Sequence, residues 1–189
     1  MPQTIRVYDP RTYPVEAAPP ARAEAAPPHG TEDLRRRGQR LGVRSLTGKV
    51  IALVDNRKLL AFGAALRDQL LAQGAADVVR YDSPTYRPAA DETLDEVAAT
   101  SDAAITGLGN CGSCTALTCQ DGARLSQRGL LSATLIIPQF QFVATTATTA
   151  FGYAEHPVLH VREDVDFATG DPLEREAERV ARLILTVGG

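Results

Sequence analysis

The stretch "DAAITGLGNCGSCTALTCQDGARLSQRG" (102–129) decides how this chain is read. Residues 102–109 form an apolar run that ends in glycines, the pattern of a strand buried on both faces. Residues 113–129 read as a helix closed by Gly129. A short turn joins the two, which makes the stretch half of a βαβ unit. All 3 cysteines of the chain, Cys111, Cys114 and Cys119, lie in this stretch.

The alternation continues on both sides. "KVIALVD" (49–55) reads as a buried strand ending at Asp55-Asn56, followed by an amphipathic helix over 59–74 closed by Gly74. Further strands are expected at 76–82, 133–138 and 157–162. Helices are expected at 90–99, 141–152 and 171–187, the last with Asp171 as N-cap and Pro172 at the first helical position. Five units of this length predict an α/β domain over 46–189, with an open parallel five-stranded sheet and helices on both faces. The preferred topology is flavodoxin-like, or Rossmann-like in the broad sense, with strand order 2-1-3-4-5. Ligands of such sheets bind at the carboxyl ends of the strands, where the order reverses between strands 1 and 3. That crevice is where Asp55-Asn56 and Asn110-Cys111 fall.

Residues 1–45 have another character. "PVEAAPPARAEAAPPHG" (14–30) is rich in Pro and Ala without hydrophobic period, so it reads as an irregular extended arm. The arm is either loosely draped or packed on a partner subunit, as in a homodimer. The segment "MPQTIRVYDPRTYP" (1–14) does not have the form of a signal peptide. No apolar segment reaches the about 18 residues of a membrane span. A cytoplasmic location is expected, where thiols stay reduced. A net charge of −3, aromatic content of 5% and no tryptophan argue against a nucleic-acid partner. The basic cluster "RRRGQR" (35–40) is short and reads as a solvated face. The chain has no P-loop, and no nucleotide cofactor is expected.

Cys111 and Cys114 stand where the strand turns into the helix. The first helical turn offers unpaired N–H groups and partial positive charge, which stabilise a thiolate. Thiol pKa values at such positions fall from ~8.5 toward roughly 4–7. Gly112 and Ser113 allow a tight turn, so the pair can close a small disulfide, or Cys111 can attack while Cys114 resolves. Cys119 reads as a small core residue. Should a metal such as Cu(I) or zinc be bound instead, two arrangements are available: the three sulfurs of Cys111, Cys114 and Cys119, or a Cys/Cys/His site using His156.

Around the thiols, Asp121 could face them as an acid or base, or face solvent. Asp55 and Asn56 could orient a substrate or cap the following helix, Thr115 and Thr118 could donate hydrogen bonds to a bound anion, and Asn110 and Ser113 are further candidate substrate-binding residues. His156 enters strand 5 from the wrong end and reads as a surface residue. The run "TTATT" (145–149) reads as a packed helix face.

"LTGKVIALVDNRK" (46–58), "SDAAITGLGNCGSCTALTCQDGARLSQRG" (101–129) and "HPVLHV" (156–161) together resemble the UGSC family. Its members carry selenocysteine or cysteine in a (U/C)GSC motif after a strand. The resemblance covers most of residues 46–165. It implies that Cys111 is the reactive chalcogen, that Cys114 is the second motif cysteine and that Asp121 is the aspartate following the motif. Many members have a histidine before that aspartate; here it is Gln120, so no role is carried over for it.

Three functions are in view. In the first, Cys111 attacks a small-molecule substrate, Cys114 resolves the adduct and an external reductant resets the pair. In the second, the cysteines perform redox-neutral lyase or isomerase chemistry. In the third, the sulfurs hold Cu(I) or zinc. No cofactor is expected under the first two.

Overall fold

Apolar strands alternating with helices do assemble as a doubly wound sheet. The computed structural model describes residues 45–165 and 167–185, so the arm expected over 1–45 lies, but for Ser45, outside the described residues. The strands are Val50–Asp55 (β1), Asp77–Asp82 (β2), Ala103–Gly109 (β3), Leu131–Ile136 (β4) and Val158–His160 (β5). The helices are Leu60–Ala72 (α1), Asp91–Thr100 (α2), Gly112–Gln127 (α3), Gln141–Ala150 (α4) and Asp171–Ile184 (α5). The sheet order is β2-β1-β3-β4-β5 and every pairing is parallel, as expected.

Side chains of β1 alternate between two cores, because successive strand residues face opposite sides. Ile51 and Leu53 pack with Phe62, Leu66 and Leu70 of α1 and with Val180 and Ile184 of α5. Ala52 and Val54 pack on the opposite face, with Leu94 and Val97 of α2 and Leu125 of α3. Cys119, Ile136, Ala144 and Ala147 close a third cluster between β4, α3 and α4. Full burial of a leucine such as Leu66 contributes about 2 kcal/mol. The carboxyl ends of β1 and β3 are level: Asp55 pairs with Gly107 on one side and Asp82 on the other.

Local details differ from expectation at β4, α5 and α4. β4 begins at Leu131 rather than 133, because Ser132 is buried, donating to the Gly122 carbonyl at 2.8 Å and bonding Ser126 at 2.7 Å. The cap of α5 is Gly170, and Asp171 is already helical in its first turn, where its charge suits the helix N-terminus. The threonines of α4 mostly face solvent: Thr145, Thr146 and Thr149 are exposed and donate to main-chain carbonyls of their own helix, and only Thr148 is buried.

Candidate functional site

The site grows from the end of β3. Gly109 lets α3 start directly against the strand, since a Cβ there would lie 2.7 Å from Thr115 Oγ1 and 2.8 Å from Ile136 Cγ2. Cys111 follows in extended conformation and caps α3. Its sulfur accepts the Cys114 N–H at 3.2 Å, the bond a serine or aspartate oxygen ordinarily makes at that position. The Thr115 hydroxyl donates to the Cys111 carbonyl at 2.7 Å, and the Thr115 N–H donates to the same oxygen at 2.9 Å. Cys111 and Cys114 are joined as a disulfide, with their Cα atoms 5.2 Å apart. The two sulfurs are not equivalent in access: Cys111 is half-buried, while Cys114 is buried beneath it. Ser113 is exposed, with its hydroxyl 3.5 Å from Cys111 Sγ. Asn110 is half-buried beside them.

Asp55 and Asn56 serve the main chain rather than the solvent. Asn56 donates to the Leu108 carbonyl at 3.0 Å and accepts the Leu108 N–H at 2.8 Å, which locks the segment leading to the cysteines. The Gly107–Leu108 peptide bond within that segment is cis. One oxygen of Asp55 accepts the Lys58 and Leu59 N–H groups at 3.0 and 3.2 Å. The other pairs with Arg80 at 2.7 Å. The turn it organises holds Arg57 and Leu60 at φ 66° and 45°, left-handed conformations that cost about 1–2 kcal/mol for residues with a Cβ. Thr115, likewise, is fully buried with its hydroxyl committed to Cys111.

Asp121 does not face the thiols. It lies seven residues beyond Cys114, about 10 Å along the helix axis. Its carboxylate accepts the Ala89 N–H at 2.9 Å and the Ser83 hydroxyl at 3.1 Å, with Arg124 3.3 Å away. It therefore clamps the loop between β2 and α2 onto α3. Burial pushes its pKa up to about 6, against the lowering effect of these donors. Arg124 completes the clamp by donating to the Ala89 carbonyl at 2.7 Å and pairing with Asp91 at 2.8 Å.

His156 is buried, not a surface residue. Its Nε2 is 2.8 Å from Thr134 Oγ1 and its Nδ1 is 3.3 Å from Ser126 Oγ. Burial lowers its pKa to about 4, so the ring is neutral at physiological pH. The ring fits because Gly122 faces it: a Cβ there would stand 2.5 Å from Nε2. Thr106 extends this network, bonding Thr134 Oγ1 at 2.7 Å and donating to the Thr118 carbonyl at 3.0 Å. The hydroxyls of Thr106 and Thr134, in the middle of otherwise apolar strands, were the signal in the sequence that a polar partner is buried there.

Cys119 is fully buried in the apolar cluster with Ile136 and Ala144, and burial pushes its thiol up to about 12. It stands apart from the other two sulfurs, as a core residue should. Among the described residues no three His, Cys, Asp or Glu side chains gather closely enough to hold a metal ion.

Sequence reading did not single out the loop after β2. Arg57 and residues Asp82 to Arg87 line a hollow of about 460 Å³ on the same carboxyl edge. Its members are spread over two segments of ordinary loop composition, so only the folded chain brings them together. The edge also carries Leu60, Tyr86, Phe142 and Phe167, each more than half exposed, in the segments that follow β1, β2, β4 and β5.

Fold and site together define an α/β protein with a helix-capping Cys-x-x-Cys pair at the switch point of a doubly wound parallel sheet. The chain belongs to the UGSC family, whose family model matches residues 7–187. No curated protein and no solved structure gives a match. Among the described residues no helix is long and apolar enough to cross a membrane.

Proposed function

We propose that the protein is a thiol-dependent oxidoreductase that reduces a small disulfide-type substrate, with Cys111 as nucleophile and Cys114 as resolving thiol. The observation that carries this reading is the division of labour between the two sulfurs. One is accessible at the helix start, the other is buried beneath it, and they are joined as a disulfide. In the reduced protein the Cys111 thiolate, stabilised by the Cys114 N–H and the start of α3, attacks one sulfur of the substrate R–S–S–R. A mixed disulfide forms and R–S⁻ leaves. The Cys114 thiolate then attacks Cys111 Sγ and expels the second R–S⁻. The two thiol protons end on the two product thiols, and the substrate's two electrons are supplied by the cysteine pair. An external thiol reductant returns them by the same exchange in reverse.

The exposed apolar side chains along the carboxyl edge suit an organic substrate. The chemistry suits a reducing compartment such as the cytoplasm. A Cys114→Ser variant tests the cycle. It should take up one equivalent of substrate, stall as a mixed disulfide on Cys111 visible by mass spectrometry, and lose multiple turnover. Unimpaired turnover of that variant would overturn the resolving role, and normal turnover by the wild type without any reductant would overturn the redox cycle.

A further inference from the structure

The hollow between Arg57 and the 82–87 loop has no part in the thiol cycle, yet it is built with some care. It opens on the carboxyl edge of the sheet, because Arg57 follows β1 and residues 83–87 follow β2. Its charged lining is Arg57, Arg87 and Asp82, a net charge of +1 in a chain of net charge −3. Arg57 reaches Asp82 only at 3.8 Å, with both side chains more than half exposed. Arg87 makes no ion pair among the described residues.

The loop that presents Arg87 is tied down at both ends. The Ser83 N–H donates to the Asp55 carbonyl at 2.8 Å, the Thr85 hydroxyl donates to the Asn56 carbonyl at 3.1 Å, and Ala89 is gripped by Asp121 and Arg124. Arg57 is held in its left-handed conformation by the turn that Asp55 organises. A surface connection needs none of this; a loop that must hold a guanidinium in place does. One residue joins the hollow to the thiols. Asn56 accepts from Thr85 through its main chain and grips Leu108 through its side chain, just ahead of the cysteine turn. The ends of β2 and β3 are two strand spacings apart, on the order of 10 Å.

We propose that Arg57 and Arg87 form an anion subsite that binds an acidic group of the substrate, a carboxylate in the first instance, while its sulfur meets Cys111. This rests on the thiol-exchange reading above and names the substrate class for it: organic disulfides bearing a carboxylate within about 10 Å of the reacting sulfur. A phosphate would meet the same guanidinium chemistry, and the test separates the two.

The reduced full-length protein is reacted with two disulfide probes, 5,5′-dithiobis(2-nitrobenzoate), which carries two carboxylates, and the uncharged 2,2′-dithiodipyridine. Arg57→Gln and Arg87→Gln should each slow the carboxylate probe roughly tenfold and leave the neutral probe within about twofold. Arg67→Gln, an equal loss of charge on α1, should alter neither. Loss of rate toward both probes alike, or toward neither, overturns the subsite. Benzoate at constant ionic strength should protect against the carboxylate probe more strongly than inorganic phosphate does; the reverse order makes the group a phosphate and overturns the carboxylate assignment. Calorimetric binding of benzoate to the disulfide form, weakened in Arg87→Gln, tests the hollow without any thiol reaction. Benzoate binding with no Cys111 reactivity would therefore sink the redox reading alone, and Cys111 reactivity without benzoate binding would sink the subsite alone.

Discussion

Cys111 and Cys119 are two turns apart on one helix, and everything that decides reactivity differs between them. Cys111 ends an extended segment, caps the helix and is half exposed; its sulfur already accepts a main-chain N–H. Cys119 is fully buried against Ile136 and Ala144. No donor cluster or cation offsets that burial beyond one hydrogen bond from Thr134, so the thiol is pushed up to about 12. The first turn of a helix has N–H groups to spare and the middle has none, so the same side chain is a nucleophile at one place and a filler at the other. The comparison extends to the rest of α3. Its opening is built for access, while Cys119, Asp121, Gly122 and Ser126 further on face β4, the β2–α2 loop and His156.

The largest effect expected from this contrast is in thiol reactivity. In the reduced, folded protein at pH 8, a thiol with pKa about 12 is ionised in on the order of one molecule in ten thousand. Iodoacetamide should therefore modify Cys111 at least about a thousandfold faster than Cys119, as peptide mass spectrometry would show. Cys119 should catch up only when the chain is unfolded. Similar rates at the two positions in the folded protein would break the comparison at its root.

The fold and the thiol pair were legible from residue patterns; the polar interior behind α3 was not. Continuous apolar strands and an amphipathic α1 leave few alternatives to a doubly wound sheet, and Cys-x-x-Cys at a strand end needs no tertiary information to be noticed. A lone histidine before Pro157 has the local character of a loop residue, so the sequence around it does not announce its burial. Its burial depends on Gly122, far away in sequence, leaving room for the ring. Asp121 was noticed, but its partners Ser83 and Ala89 lie in a loop with no periodicity, so its direction could not be read. The start of β4 was lost for the same reason: Ser132 looks like a turn residue until its partner Ser126 is brought to it. Contacts between distant polar residues carry no local period, whereas burial of apolar faces does.

The buried pair Asp121 and His156 sharpens the comparison through pH. Burial raises the Asp121 pKa from 3.8 to about 6, so the folded state holds that proton more tightly than the unfolded chain. Its contribution to stability falls as pH rises from about 4 to 6 and is level above that. His156 goes the other way, lowered from 6.5 to about 4, so its contribution rises with pH through that window and is lost in acid. Each amounts to about 3 kcal/mol, and in the wild type the two slopes oppose one another. Asp121→Asn keeps an acceptor for Ala89 and removes one slope. Relative to wild type, it should lose stability by about 3 kcal/mol between pH 6.5 and 4 in urea unfolding. His156→Gln should gain over the same interval. Parallel curves for wild type and both variants would mean that neither group is desolvated as its burial indicates.

The smallest effect comes from the two glycines that bracket the change of character along α3. Gly112, in its first turn, has nothing within 4 Å of where a Cβ would stand. Gly122, ten residues on, would place a Cβ 2.5 Å from His156 Nε2 and 2.7 Å from Thr134 Oγ1. Neither glycine has positive φ, so backbone conformation is not the difference. Alanine at 112 should be neutral or stabilise by up to about 1 kcal/mol, through helix propensity alone. Alanine at 122 should destabilise by about 1–3 kcal/mol, because two ring and hydroxyl groups fixed by hydrogen bonds must give way. In His156→Ala that cost should shrink, since the clashing ring is gone, and a double-mutant cycle by urea unfolding would measure the coupling directly. A cost at 122 that persists undiminished in the His156→Ala background would place the obstruction elsewhere, and a cost at 112 as large as at 122 would show that the helix opening is packed as tightly as its middle.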